Sequence, residues 1–229
     1  MQARAMGVAR PEPRGRPLLA LLALVPLAAC SPYADADADA DAERDVAAGG
    51  RGLAKLNPAP KQAYELVLTL KDAPGPFAVA EGVAQYDVSN YEDCGRVIWS
   101  TGTASRITSQ EPVELRRTGE NEYRGTFYLD RMQDQDYYDR GTCHWTLTGV
   151  GAMLRATTGE ADTRFLTFID KKRMDSGSQL TRYYPRADYP RIEEITGYGA
   201  SGKEDPSAYR EELRNALFST TTTVQRLVP

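Results

Sequence analysis

Tyr64-Glu65-Leu66-Val67-Leu68-Thr69-Leu70 decides the fold class. Tyr64, Leu66, Leu68 and Leu70 alternate with Glu65, Val67 and Thr69, a period of two that puts one row of side chains on each face of a strand. Downstream the same period returns. Turn residues from Asp72 to Pro76 separate this strand from Ala78–Val88, where Ala80, Gly82, Ala84, Tyr86 and Val88 share a side. Arg96–Ser100 is a shorter candidate. Val113–Arg117 and Tyr123–Leu129 flank Thr118-Gly119-Glu120-Asn121, which reads as a hairpin turning Tyr123, Phe127 and Leu129 inward. Cys143–Ala156 is long and extended, with Cys143, Trp145 and Leu147 on one face, and Arg164–Ile169 is another short apolar run.

Helical signals come late. Asp205-Pro206 supplies an N-cap with proline at the first helical position, and Tyr209, Leu213, Ala216 and Leu217 recur at helical spacing, which predicts one helix to about Phe218. Ser219–Val228, with four consecutive threonines, closes the chain as a strand. Short, regularly spaced strands with one late helix define a mainly β protein, an antiparallel β-sandwich of immunoglobulin-like or C2-like kind.

Working back toward the N-terminus, order gives way to addressing. Arg4, Arg10, Arg14 and Arg16 precede an apolar run from Pro17 to Ala29, and Leu27-Ala28-Ala29-Cys30 places a cysteine after two small residues. This is the layout of a signal peptide over residues 1–29. Its cleavage site resembles the lipobox of bacterial lipoproteins, so Cys30 is expected to be lipidated by acyl chains such as palmitate. The apolar run is about 13 residues, short of the roughly 20 that a membrane-spanning helix needs. Ser31 follows the cysteine; an Asp there resembles an inner-membrane retention signal, so sorting to the outer membrane, facing the periplasm, is expected. Residues 30–60 then read as a lipidated cysteine and a disordered tether: Asp35, Asp37, Asp39, Asp41, Glu43 and Asp45 repel one another, and Ala offers little area to bury. The sandwich is assigned residues 61–229.

Composition narrows the partners. The chain has 28 Lys and Arg against 32 Asp and Glu. Removal of residues 1–29 takes four Arg and one Glu, leaving a net charge near −7 with basic residues scattered among acids. Nucleic acid, which demands a concentrated basic face, is not an expected partner. With Cys30 lipidated, Cys94 and Cys143 form an even pair, and in an oxidising compartment pairing is the default; two buried thiols are the alternative.

Chemical motifs are sparse. His144 is the single histidine, and alternation sets it on the face opposite Cys143 and Trp145. The chain carries no Gly-x-Ser-x-Gly, no His-Glu-x-x-His and no phosphate-cradling glycine loop, so neither an enzyme nor a cofactor is expected. Asp134, Asp136 and Asp139 are a weak metal candidate. Tyr138 and Asp139 occupy the fifth and sixth places of the loop, where an EF-hand wants an oxygen ligand and Gly, although a C2-like calcium site tolerates other spacings. From Asp175 to Asp205, Arg182, Tyr183, Tyr184, Arg186, Tyr189, Arg191 and Tyr198 are interleaved, and these residue types dominate protein-interface hot spots. That segment, read as one long loop between the last core-like strand and the helix, is the candidate partner-binding surface; the competing reading is that its tyrosines pack down and close the sandwich.

A resemblance covers most of residues 63–170. Ala73-Pro74-Gly75-Pro76-Phe77, Ala84-Gln85-Tyr86-Asp87-Val88-Ser89-Asn90 with Cys94 behind, Tyr123-Arg124-Gly125-Thr126-Phe127-Tyr128-Leu129-Asp130, Asp136-Tyr137-Tyr138 and Cys143-His144-Trp145 resemble outer-membrane lipoproteins encoded beside antibacterial toxin genes. The resemblance implies an immunity protein, which holds a secreted effector such as a phospholipase inactive in the periplasm of kin cells. Its motifs are strand and turn residues and transfer no functional position. The function expected is a periplasm-facing, protein-binding immunity or inhibitor lipoprotein; the alternative is a structural, lipid-handling or calcium-dependent membrane-docking envelope lipoprotein.

Overall fold

The structure, a computed structural model, describes residues 52–98 and 100–228. The signal peptide, Cys30, the tether up to residue 51 and Trp99 lie outside the described residues. Two five-stranded sheets pack face to face. The first has the order β10 (Leu180–Pro185), β12 (Leu217–Arg226), β1 (Ala63–Lys71), β7 (Glu122–Tyr128), β6 (Arg116–Gly119). The second has the order β11 (Gly199–Ala200), β9 (Arg164–Asp170), β8 (Trp145–Arg155), β2 (Val79–Val88), β5 (Thr108–Val113). Pairing is antiparallel except between β11 and β9. A separate hairpin joins β3 (Val97–Ile98) to β4 (Thr103–Ala104). Among the described residues no helix is long and apolar enough to cross a membrane.

The alternation read from the sequence sets the inner faces. Leu66, Leu68 and Leu70 of β1 and Ala84, Tyr86 and Val88 of β2 are buried, as are Tyr123 and Phe127 of β7. One half of the core packs Leu66, Phe127 and Leu180 of the first sheet on Tyr86, Leu147, Val150 and Ile169 of the second. The other half packs Leu68, Tyr123, Tyr184 and Phe218 on Leu154 and Phe165. In β8 the register against β2 slips between Gln85 and Tyr86, so one extra residue, Thr148, restores the inward direction between Leu147 and Val150.

Four expectations are corrected. Val113–Arg117 is not one strand: Val113 pairs with Gly82 in the second sheet, and Arg116 pairs with Arg124 in the first. The chain crosses between sheets there, over two glycines. A Cβ on Gly82 would stand 2.6 Å from the Val113 carbonyl oxygen, and one on Gly125 would stand 2.8 Å from that of Glu114.

The late helix is broken. Asp205 does cap, accepting from the Ser207 N–H at 2.8 Å, but only a 3-10 turn, Pro206–Ala208, follows. A single α-turn, Glu211–Arg214, comes next, and Leu217 and Phe218 already belong to β12. Ladder pairing of Leu217 with Pro185 and of Phe218 with Tyr184, plus burial of the Phe218 ring, outweighs local helical spacing.

Asp175–Asp205 is not one loop, because β10 lies within it. Finally, the fold starts before Lys61. Ala54 is buried and Leu56 forms a bridge with Met132.

Candidate functional site

The two ends of the sandwich differ in what they display. β8 alone runs from one pole to the other, a span of roughly 33 Å at 3.3 Å per residue. At the first pole the chain enters and the disulfide lies; at the second, the distal pole, sits the Tyr/Arg segment.

At the entry pole, Cys94 ends the helical turn α1 (Tyr91–Cys94) rather than a strand, and is bonded to Cys143. Their sulfurs are buried with Val88, against Tyr91, Ile107, Tyr137 and Trp145. Asn90 knits the two arms together: its amide donates to the Thr142 carbonyl at 2.9 Å, and its oxygen accepts from the His144 N–H at 2.8 Å. Arg140 donates to the carbonyl oxygens of Gly95 and Glu92.

The acids of this loop act as acceptors for the chain itself. Asp136 accepts from the N–H groups of Gly141 (3.0 Å), Arg140 (3.1 Å) and Tyr138 (3.3 Å). Desolvation disfavours its ionisation, but those bonds together outweigh it and hold the carboxyl below its ordinary range. Asp134 accepts from the Trp145 N–H at 2.9 Å, and its other oxygen lies 2.8 Å from His144 Nδ1. Asp139 turns the chain with φ of 54°. Among the described residues no group of three or more His, Cys, Asp or Glu side chains is arranged to hold a metal ion, so Asp134, Asp136 and Asp139 are neighbours in sequence without forming a coordination shell. His144 meets a carboxylate, whereas the nearby Ser89 hydroxyl donates to the His144 carbonyl and not to its ring.

At the distal pole the Tyr/Arg candidates divide. Tyr184 is 0 % exposed, with its ring 5.1 Å from that of Phe218 and 5.5 Å from that of Phe165. It is a core residue, and the reading of it as a contact residue is corrected. Tyr189 caps the core edge-on to Phe77, and its hydroxyl donates to the Pro76 carbonyl at 2.6 Å. Arg182 and Tyr183 lie half-buried on edge strand β10. Arg182 stands 3.5 Å from Glu204, which also accepts from both terminal nitrogens of Arg173, and Tyr183 exchanges two backbone bonds with Lys203. Only Arg186, Arg191 and Tyr198 remain exposed.

These three sit on a segment with a fixed path. After the cis Tyr189–Pro190 bond, the Pro190 carbonyl accepts from the Thr163 N–H at 3.0 Å. Further on, the Gly197 N–H donates to Ala161 at 3.1 Å and the Arg164 N–H donates to Tyr198 at 2.7 Å. Gly197 takes φ of 62°, where a Cβ would stand 2.9 Å from the Glu160 carbonyl. Along this segment the side chains of Ile195 (52 %) and Tyr198 (37 %) are exposed. Sequence reasoning did not single out Ile195. Its one signal is an aliphatic residue between Glu194 and Thr196, away from any strand alternation.

Fold and geometry thus define a two-sheet β-sandwich with a disulfide-locked entry pole and a pinned, partly apolar loop at the distal pole. No protein-family model matches the chain, and neither a curated protein nor a solved structure matches it.

Proposed function

We propose that the protein is an envelope lipoprotein of the immunity or inhibitor class, anchored through Cys30 and binding a secreted antibacterial effector through its distal pole. The observation that carries this reading is the pinned segment Ile195–Tyr198 with its exposed side chains. A loop already held in one conformation loses little entropy on binding, and an exposed aliphatic beside a tyrosine, with Arg186 and Arg191 on the same segment, has the chemistry of interface hot spots. The distal pole also points away from the end at which the tether enters, which leaves it open to an incoming protein.

The test is protection. Expressed in the periplasm, the wild-type protein is expected to rescue cells from a secreted effector encoded beside its gene, the arrangement that the resemblance implies. Ile195→Ala combined with Tyr198→Ala lowers affinity for that effector by about 2 kcal/mol or more, roughly 30-fold, with a melting temperature within a few degrees of wild type. Protection retained in full by the double variant moves the binding face elsewhere; absence of protection by the wild type removes the immunity reading.

A further inference from the structure

The β3–β4 hairpin belongs to neither five-stranded sheet, and its two aliphatic side chains, Val97 and Ile98, are 41 % and 43 % exposed. Two strands alone are marginal in water, so what holds this projection is its base. The Ser105 N–H donates to the Arg96 carbonyl at 2.9 Å, Cys94 is bonded to Cys143, and Arg140 grips the Gly95 carbonyl. Gly95 itself is closely packed, since a Cβ there would stand 2.4 Å from the Tyr91 carbonyl oxygen. At the tip, the N–H groups of Thr101 and Gly102 both donate to the Ile98 carbonyl, and Gly102 takes φ of 67°. A turn anchored at its base, with the Thr101 and Gly102 N–H groups satisfied locally, thus exposes two apolar side chains.

Where the chain enters decides what this turn faces. The Gln133 N–H donates to the Lys55 carbonyl at 2.9 Å and the Asn57 N–H to that of Arg131 at 2.8 Å, while the Lys55 N–H reaches the Tyr137 hydroxyl at 3.4 Å. Tyr137 packs on the Cys94–Cys143 cluster. The segment leading back to Cys30 therefore joins the domain at the pole that carries the hairpin. Twenty-one residues, 31–51, separate that cysteine from the described domain. A lipid on Cys30 makes any second contact with the same bilayer intramolecular, which strengthens even a weak apolar contact.

We propose that the β3–β4 hairpin is a membrane-contact element: Val97 and Ile98 enter the headgroup–acyl boundary of the phospholipid bilayer that holds the Cys30 lipid, and so orient the distal pole away from the membrane. This rests on the lipoprotein reading of Cys30. Tyr91 and Arg106, whose guanidinium lies 5.4 Å from the Tyr91 ring centroid, flank the hairpin base with groups suited to the headgroup layer.

The experiment uses the full lipoprotein carrying Ser100→Cys or, at the distal pole, Thr196→Cys, labelled with a nitroxide and reconstituted into phosphatidylethanolamine–phosphatidylglycerol vesicles. With Cys30 blocked by lipid and Cys94 bonded to Cys143, each variant offers one thiol. Flotation reads the anchor; the ratio of oxygen to water-soluble nickel accessibility reads depth. The ratio is several-fold higher at residue 100 than at residue 196, and Val97→Asp with Ile98→Asp returns it to the aqueous value while the protein still floats. A floating protein with an aqueous label at residue 100, or a label depth indifferent to the two aspartates, overturns the docking alone. Failure to float, or a second label on Cys30, overturns the anchor and the docking with it.

Discussion

Replacement of Tyr184 separates a core role from a surface role. The ring is fully buried between Phe165 and Phe218, and its hydroxyl donates to the Leu166 carbonyl at 2.8 Å. Tyr184→Ala removes an aromatic side chain from a packed core, a change that costs about 3–5 kcal/mol. In a domain of this size each kcal/mol shifts the melting temperature by about 2–4 °C, so the expected fall is about 6–20 °C. Tyr184→Phe keeps the ring and removes only the hydrogen bond, about 1 kcal/mol or 2–4 °C.

The same group sets an alkaline limit. Burial lifts its hydroxyl from 10.0 to about 12, against the smaller lowering effects of the Thr220 hydroxyl and Arg182. The folded state therefore holds this proton more tightly than the unfolded chain. The stability so contributed is complete below pH 10 and is lost as pH rises toward and through 12, roughly 3 kcal/mol in all. Tyr86, also raised by burial, acts in the same direction. Urea unfolding from pH 8 to 12 should give a shallower alkaline loss for Tyr184→Phe than for wild type, and calorimetry at pH 7 should give the two melting shifts. A Tyr184→Ala protein that melts within 2 °C of wild type yet loses partner binding would refute the aromatic-core argument and return Tyr184 to the surface.

Three further outcomes are expected. Cys94→Ala with Cys143→Ala opens a loop whose ends are 49 residues apart and lowers stability by about 4 kcal/mol; native alkylation that modifies two free thiols in oxidised wild type would contradict the bond. Asp136 is held ionised below its usual range, so its contribution is present above ordinary carboxylate pH and lost as pH falls through the lowered value; Asp136→Asn should flatten the acid limb of the stability curve, and an unchanged limb would deny its N–H bonds that role. Cys30→Ala should yield unprocessed or soluble protein in fractionated cells, whereas unchanged outer-membrane retention would exclude the lipid anchor.

The sequence by itself determined the strands of clearest alternation, β1, β2, β7 and β8, and their inward faces. A period of two needs only neighbouring residues to be legible, and Leu66, Leu68, Tyr86 and Phe127 point into the core as their spacing demands. It also pointed to the Cys94–Cys143 pair, on the expectation of a lipidated Cys30 and an oxidising compartment. Tertiary structure decided the rest, because the competing forces there act between residues far apart in the chain. Val113 and Arg116 part company because the chain between them crosses from one sheet to the other. Phe218 leaves a locally sensible helix because a ladder partner, Pro185–Tyr184, and an aromatic pocket await it. Among the tyrosines of the candidate segment nothing local distinguishes Tyr184 from Tyr198. Burial between two sheets takes the first and a loop pinned to Ala161 and Arg164 exposes the second, so which residues could meet a partner became visible only once the two sheets were closed on each other.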